Sequence, residues 1–153
     1  MTPAGRTALQ KEVKHLRSVE RPKNIKDIEE ALDHGDLKEN AEFKYAKEKQ
    51  GFIEGRIRDI EDKLARADVV ELRSAPDKVQ FGCLVRVLDC DVDEEQFYII
   101  VGQDEVDIKQ RKISYQSPIA RALMNKAEGD VAEVNAPKGV RELEILKIDV
   151  PEP

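Results

Sequence analysis

The sequence predicts an α+β protein: an N-terminal antiparallel helical hairpin of coiled-coil type, then a small antiparallel sheet carrying one helix. Three observations predict it. Up to residue 67 the apolar residues recur at helical spacing, and after it they fall in short runs rich in Val, Ile and Tyr, separated by turn residues. Aromatic residues make up only 5% of the chain, with no Trp, while charged residues make up 38%. Such a composition suits long exposed helices better than one thick core. The 153 residues divide into a hairpin domain, 1–75, and a sheet domain, 76–153.

Thr2 and Pro3 read as the N-cap and first residue of helix one. Leu9, Val13, Leu16 and Val19 form its apolar stripe, and Ile25, Ile28 and Leu32 resume the stripe in another phase after Pro22. A proline inside a helix costs about 3 kcal/mol and bends it, so a kink or short break is expected at Arg21-Pro22. Gly35 is placed to stop this helix. In helix two, Phe43, Ala46, Gln50, Ile53, Ile57, Ile60, Leu64 and Ala67 alternate spacings of three and four. That is a coiled-coil seam of almost four heptads, and the tight turn at 34–36 makes the pair antiparallel.

Beyond it, residues 69–72, 83–89, 96–102 and 111–115 read as strands, with the acidic stretch DCDVDEE as a hairpin loop. Ser117-Pro118 opens a short helix. Two further strands, 130–136 and 140–150, are joined by the turn Pro137-Lys138-Gly139.

Composition excludes several functions. No run of about 18 apolar residues occurs, so no membrane span is expected. The first residues lack the apolar core of a secretory signal, which makes the cytoplasm the default. Residues 1–75 carry 16 basic and 16 acidic side chains, and residues 76–153 carry 10 and 16. The acidic second half is a poor nucleic-acid surface. Cys83 and Cys90 lack the close partners a zinc site needs and read as reduced thiols. Asp89, Asp91 and Asp93 imitate the start of a calcium loop, but Glu94 and Ile100 stand where its Gly and Glu belong.

The tip of the hairpin, 33–42, holds Asp33, Asp36, Glu39 and Glu42 at every third position. Asp36 and Glu39 fit a capping box, with Asp36 as N-cap. A helix N-terminus uses one or two acids, yet four crowd here, and only Lys38 offsets them. Clustered carboxylates suit a hard cation such as Mg²⁺, which keeps several waters and takes oxygen ligands. A tip cannot enclose an ion. The pattern therefore reads either as a cap with surplus charge or as a partial metal site completed by a partner.

The stretch HGDLKENAEFKYAKEKQGFIEGRIRDIEDKLARADVV and the later ISYQSPIARALMNKAEGDVAEVNAPKG closely resemble the bacterial Gre transcript cleavage factors, of GreA type. The likeness covers nearly the whole chain. It implies a transcription elongation factor that binds RNA polymerase and inserts the hairpin into the secondary channel, where it stimulates the polymerase's own cleavage of backtracked RNA. It is not itself an enzyme. On that resemblance Asp36 and Glu39 act at the polymerase active site and share a Mg²⁺ there, with no cofactor bound alone. Lys47 matches a basic family position and Lys44 is adjacent; both are candidates to contact the RNA 3′ end. Leu32 stands where a basic residue is expected, which thins that patch. The second domain is implied to be FKBP-like and to dock on the β′ subunit, with Ser117, Pro118, Ile119, Ala120 and Arg121 as docking candidates. A monomer is expected. The first alternative is an inhibitory Gre-like paralogue that occupies the channel without stimulating cleavage. An independent prolyl isomerase would need an aromatic-lined pocket, and the second half offers only Phe81, Phe97, Tyr98 and Tyr115. A plain coiled-coil adaptor would need no acidic tip.

Overall fold

The computed structural model describes residues 1–34, 40–137 and 139–151. It forms two compact units, Arg6–Ala67 and Met1–Gly5 with Asp68–Pro153.

Helix α1 spans Pro3–His15. Thr2 caps it as the sequence suggests, its Oγ1 accepting from the Gly5 N–H at 3.1 Å. The chain then stays helical through a π-turn, Leu16–Glu20, into α2, Arg21–Asp33. The expected kink or break at Arg21-Pro22 is thus one widened turn. In it the Arg21 N–H reaches back to the Leu16 carbonyl. Widening relieves the clash between a proline ring and the carbonyl one α-turn earlier. It also adds one residue, which rotates the following face by about 100°. Leu9 and Val13 are buried before the π-turn, Asn24 and Ala31 after it. Val19, Ile25 and Leu32, read as stripe residues, are 44–48% exposed.

Helix α3 spans Ala41–Arg66, about 39 Å at 1.5 Å per residue. Its seam buries Ala46, Ile53, Ile57 and Ile60 as the heptad spacing requires. Contacts with α2 run in inverse order along the two helices, so the hairpin is antiparallel. Arg21 forks onto both Glu54 oxygens at 2.8 Å, Asn24 Nδ2 donates to the Ala46 carbonyl at 3.0 Å, and Asn40 Nδ2 donates to the Ala31 carbonyl at 2.6 Å. The guanidinium holds the Glu54 carboxyl below its ordinary range. Arg17–Glu61 and Arg56–Glu12 add further cross-helix pairs. Exposed pairs of this kind set register more than stability.

The second unit is a five-stranded sheet in the order β3-β2-β1-β5-β4. Its strands are β1 Leu84–Asp89, β2 Glu94–Val101, β3 Lys112–Ser114, β4 Val131–Ala136 and β5 Gly139–Asp149. All pairings are antiparallel except β2 with β3. Alternate residues of one face, among them Val85, Val87, Ile100, Leu143 and Ile145, are buried together with Ala120 and Leu123 of α4, Pro118–Leu123. The expected strand 69–72 is instead an irregular connector. The Val70 amide bonds the Met1 carbonyl rather than a neighbouring strand, and Leu72 packs on the core. Met1–Gly5 is held there by Glu105, whose carboxylate accepts from the Thr2 amide at 3.1 Å and from the Gly102 amide at 2.9 Å. A Cβ on Gly5 would run into that carboxylate, which is why glycine stands at this point.

Candidate functional site

The acid-rich segment, 33–42, runs in sequence from the end of α2 into the start of α3. Gly35, Asp36, Leu37, Lys38 and Glu39 lie outside the described residues, so the proposed metal pair Asp36 and Glu39 and the Gly35 stop lie there too. The described residues on either side fix how the turn is held.

Helix α3 does not take Asp36 as its N-cap. Its N-cap is Asn40, at φ −82° and ψ 98°. Asn40 Oδ1 accepts from the Phe43 N–H at 3.0 Å, while its Nδ2 donates to the Ala31 carbonyl near the end of α2. The Asn40 amide performs both tasks with two different atoms, and a carboxylate in its place would have no proton to give Ala31. The capping box read over Asp36 and Glu39 lies outside the described residues; α3 as described begins at Ala41. Asn40 stands out in the sequence only by its resemblance to a family position at the tip; its capping role could have been read from a favoured capping residue followed by Ala-Glu-Phe.

Asp33 ends α2 and is exposed, and Glu42 is exposed in the first turn of α3, where an acid meets the positive end of the helix dipole. Phe43 is half-buried on the seam. Lys44 and Lys47 are exposed on α3, and Lys47 Nζ donates to Gln50 Oε1 at 2.8 Å. Tyr45 is 70% exposed. Beside it runs a shallow groove of about 420 Å³ lined by Asp27, Glu30, His34, Glu42, Tyr45 and Lys49. Among the described residues no group of three His, Cys, Asp or Glu is placed to hold a metal.

In the second unit Ser117 caps α4: its Oγ accepts from the Ala120 N–H at 3.3 Å and donates to the Ser114 carbonyl at 2.7 Å. Ala120 is fully buried and Ile119 half-buried on the core, so Pro118 and Arg121 are the docking candidates presented to solvent. The aromatics of this unit are dispersed. Phe81 meets Tyr115 edge to face at 5.7 Å, Tyr98 is buried, and Phe97 points outward. Asp89 is buried in an ion pair with Arg141 and accepts from the Asp91 amide, so it stabilises the β1–β2 turn. Cys83 and Cys90 are free, and burial pushes the Cys83 thiol up.

Two family descriptions match the chain. "Transcription elongation factor, N-terminal" matches residues 1–69, and "Transcription elongation factor, GreA/GreB, C-term" matches residues 74–150. The chain belongs to the GreA/GreB transcription elongation factor family. A family member from Hyphomonas neptunium, described as transcription elongation factor GreA, is 58% identical over 97% of this chain and 95% of its own. A GreA from Rickettsia prowazekii is 46% identical over 99% and 94%. The crystal structure of GreA factor homolog 1 of Thermus thermophilus is similar at 30% identity and a TM-score of 0.43, covering 97% of this chain and 96% of that one. No described helix is long and apolar enough to cross a membrane.

Proposed function

We propose that this family member acts as a monomer in the cytoplasm, binding RNA polymerase and inserting the hairpin into its secondary channel. There it stimulates the polymerase's intrinsic cleavage of backtracked RNA. The observation that carries this reading is the cap of α3. Asn40 caps α3, so the first turn of this helix has its cap without calling on an acid. Two carboxylates are hard oxygen donors of the class Mg²⁺ takes, and they fill only part of its shell. Asp36 and Glu39 would hold such an ion together with groups of the polymerase. When bound, the ion supplies charge stabilisation at the attacked phosphate. Lys44 and Lys47, exposed on the first turns of α3, would meet the phosphates of the RNA 3′ end. The exposed Pro118 and Arg121 would contribute to docking on β′, with Ser117, Ile119 and Ala120 holding their helix in place. The chain itself performs no chemistry alone.

The test uses a stalled, backtracked polymerase complex with RNA labelled at its 5′ end, in Mg²⁺. Addition of the protein is expected to release short 3′ fragments. Asp36→Asn and Glu39→Gln are expected to bind and not cut. Wild-type binding with cleavage at or below the protein-free rate would overturn the proposal in favour of an inhibitory role.

A further inference from the structure

Asp27, Glu30 and His34 from α2 and Glu42, Tyr45 and Lys49 from α3 line one groove of the hairpin, about 420 Å³ in volume. Three carboxylates stand there against one ammonium, and Lys49 Nζ is already 3.8 Å from Glu20 outside the groove. Among the described residues no ion pair engages Asp27, Glu30 or Glu42. The groove is therefore a local excess of negative charge. On its edge the Tyr45 ring is 70% exposed.

Glu42, Tyr45 and Lys49 follow at spacings of three and four, so they share one flank of α3. Lys47, two residues beyond Tyr45, is turned about 160° away from it, at about 100° per residue. With the hairpin inserted as proposed above, the Lys47 flank is the one turned to RNA, and the Tyr45 flank is turned to protein of the channel wall. Contact with that wall takes water from three carboxylates, which is costly unless positive charge replaces it. An aromatic ring beside carboxylates also selects among cations. A guanidinium lays its plane on the ring and forks its N–H groups onto a carboxylate, whereas an ammonium is a compact point charge. The chain itself uses both arrangements: Arg111 lies over the Tyr98 ring at 4.8 Å from its centre, and Arg21 forks onto Glu54. A nucleobase also stacks on tyrosine, but its phosphates would be repelled by the same three carboxylates.

Resting on the insertion proposed above, we infer that this groove receives an arginine side chain from the wall of the polymerase channel. The guanidinium lies on Tyr45 and its N–H groups meet the carboxylates of Glu30 and Glu42, with Asp27 adding to the field. The contact holds the hairpin on the flank opposite the RNA. It also explains why an aromatic side chain stands largely in solvent in the isolated chain, beside three acids without a cation among the described residues.

Binding of the labelled full-length chain to purified core RNA polymerase, with and without a backtracked DNA–RNA scaffold, tests it. Without nucleic acid, Tyr45→Leu and Glu30→Gln are each expected to weaken binding at least about fivefold. Tyr45→Phe keeps the ring and is expected to bind within about twofold of wild type. Glu30→Gln is also expected to flatten the salt dependence of binding, because one charge pair is gone. Glu29→Gln, exposed on α2 outside the groove, is the control and is expected to stay within about twofold. Circular dichroism at 222 nm shows that each variant keeps its helices, which separates lost docking from lost folding. A wild type that does not bind core polymerase overturns the insertion itself and the arginine contact with it. A wild type that binds, with Tyr45→Leu and Glu30→Gln binding equally well, overturns the arginine contact alone. A loss for Tyr45→Leu that appears only with the scaffold assigns the ring to an RNA base and overturns the arginine contact as well.

Discussion

Replacing Asn40 with Ala removes both hydrogen bonds that start α3. The cap to the Phe43 amide contributes about 1 kcal/mol. The bridge to the Ala31 carbonyl is only partly buried, so its net contribution is also about 1 kcal/mol rather than a full desolvation penalty. The loss is about 2 kcal/mol, roughly a thirtyfold rise in local opening. Amide hydrogen exchange at Phe43 and Lys44 in the folded full-length chain reads it directly. Asn40→Ser keeps a capping oxygen and loses the bridge, so it is expected to cost about half as much. If Asn40→Ala leaves these amides within about twofold of wild type, the cap argument fails, and the assignment of Asp36 and Glu39 loses its main support. If Asn40→Ser is as damaging as Ala, the cap contributes nothing and the bridge alone matters.

Other consequences can be measured on the same protein. Ile60 is fully buried at the centre of the hairpin seam, and Ile60→Ala is expected to cost about 3–4 kcal/mol in urea unfolding followed at 222 nm; a cost below about 1 kcal/mol would mean the seam is not the hairpin's core. Gly51→Ala relieves a glycine in an exposed helix interior with open space around it, and is expected to raise hairpin stability by about 1 kcal/mol. Arg141 holds the Asp89 carboxyl below its ordinary range. A depressed carboxyl contributes stability that is fully present above its unfolded value, about 3.9, and is lost as pH falls through the lower folded value. Thermal melts of wild type are therefore expected to fall steeply below about pH 4, and those of Asp89→Asn to start lower and fall less. Parallel curves would exclude Asp89 as the source.

The elements that could be read from sequence are those whose periodicity is unbroken. The α3 seam, Thr2 as a cap, the Ser117-Pro118 start of α4 and the β4–β5 turn each depend on neighbours a few residues away. Where distant groups decide, the reading failed. Pro22 announces an irregularity before α2 but not that it takes the form of a π-turn, so Asn24 and Ala31 are buried where Ile25 and Leu32 were expected. Residues 69–72 have the composition of a strand, yet their amide partner is Met1, far away in sequence. At the site, the spacing of Asp36 and Glu39 suggested a capping box, and Asn40 was not read as a cap. What favoured Asn40 was the Ala31 carbonyl across the turn, which only the fold supplies.

The π-turn also sets how the two strands of the hairpin tolerate a change of length. A single residue lost between Leu16 and Glu20 turns the wide turn into an ordinary one; the faces on either side keep their phase, at the cost of bringing the Pro22 ring back against the carbonyl one α-turn earlier. The same loss in α3 between Ala46 and Ile57 has no slack to draw on. It would swing every later seam residue by about 100° and turn Ile57 and Ile60 toward water. Insertions and deletions should therefore accumulate on the first strand of this hairpin and be purged from the second.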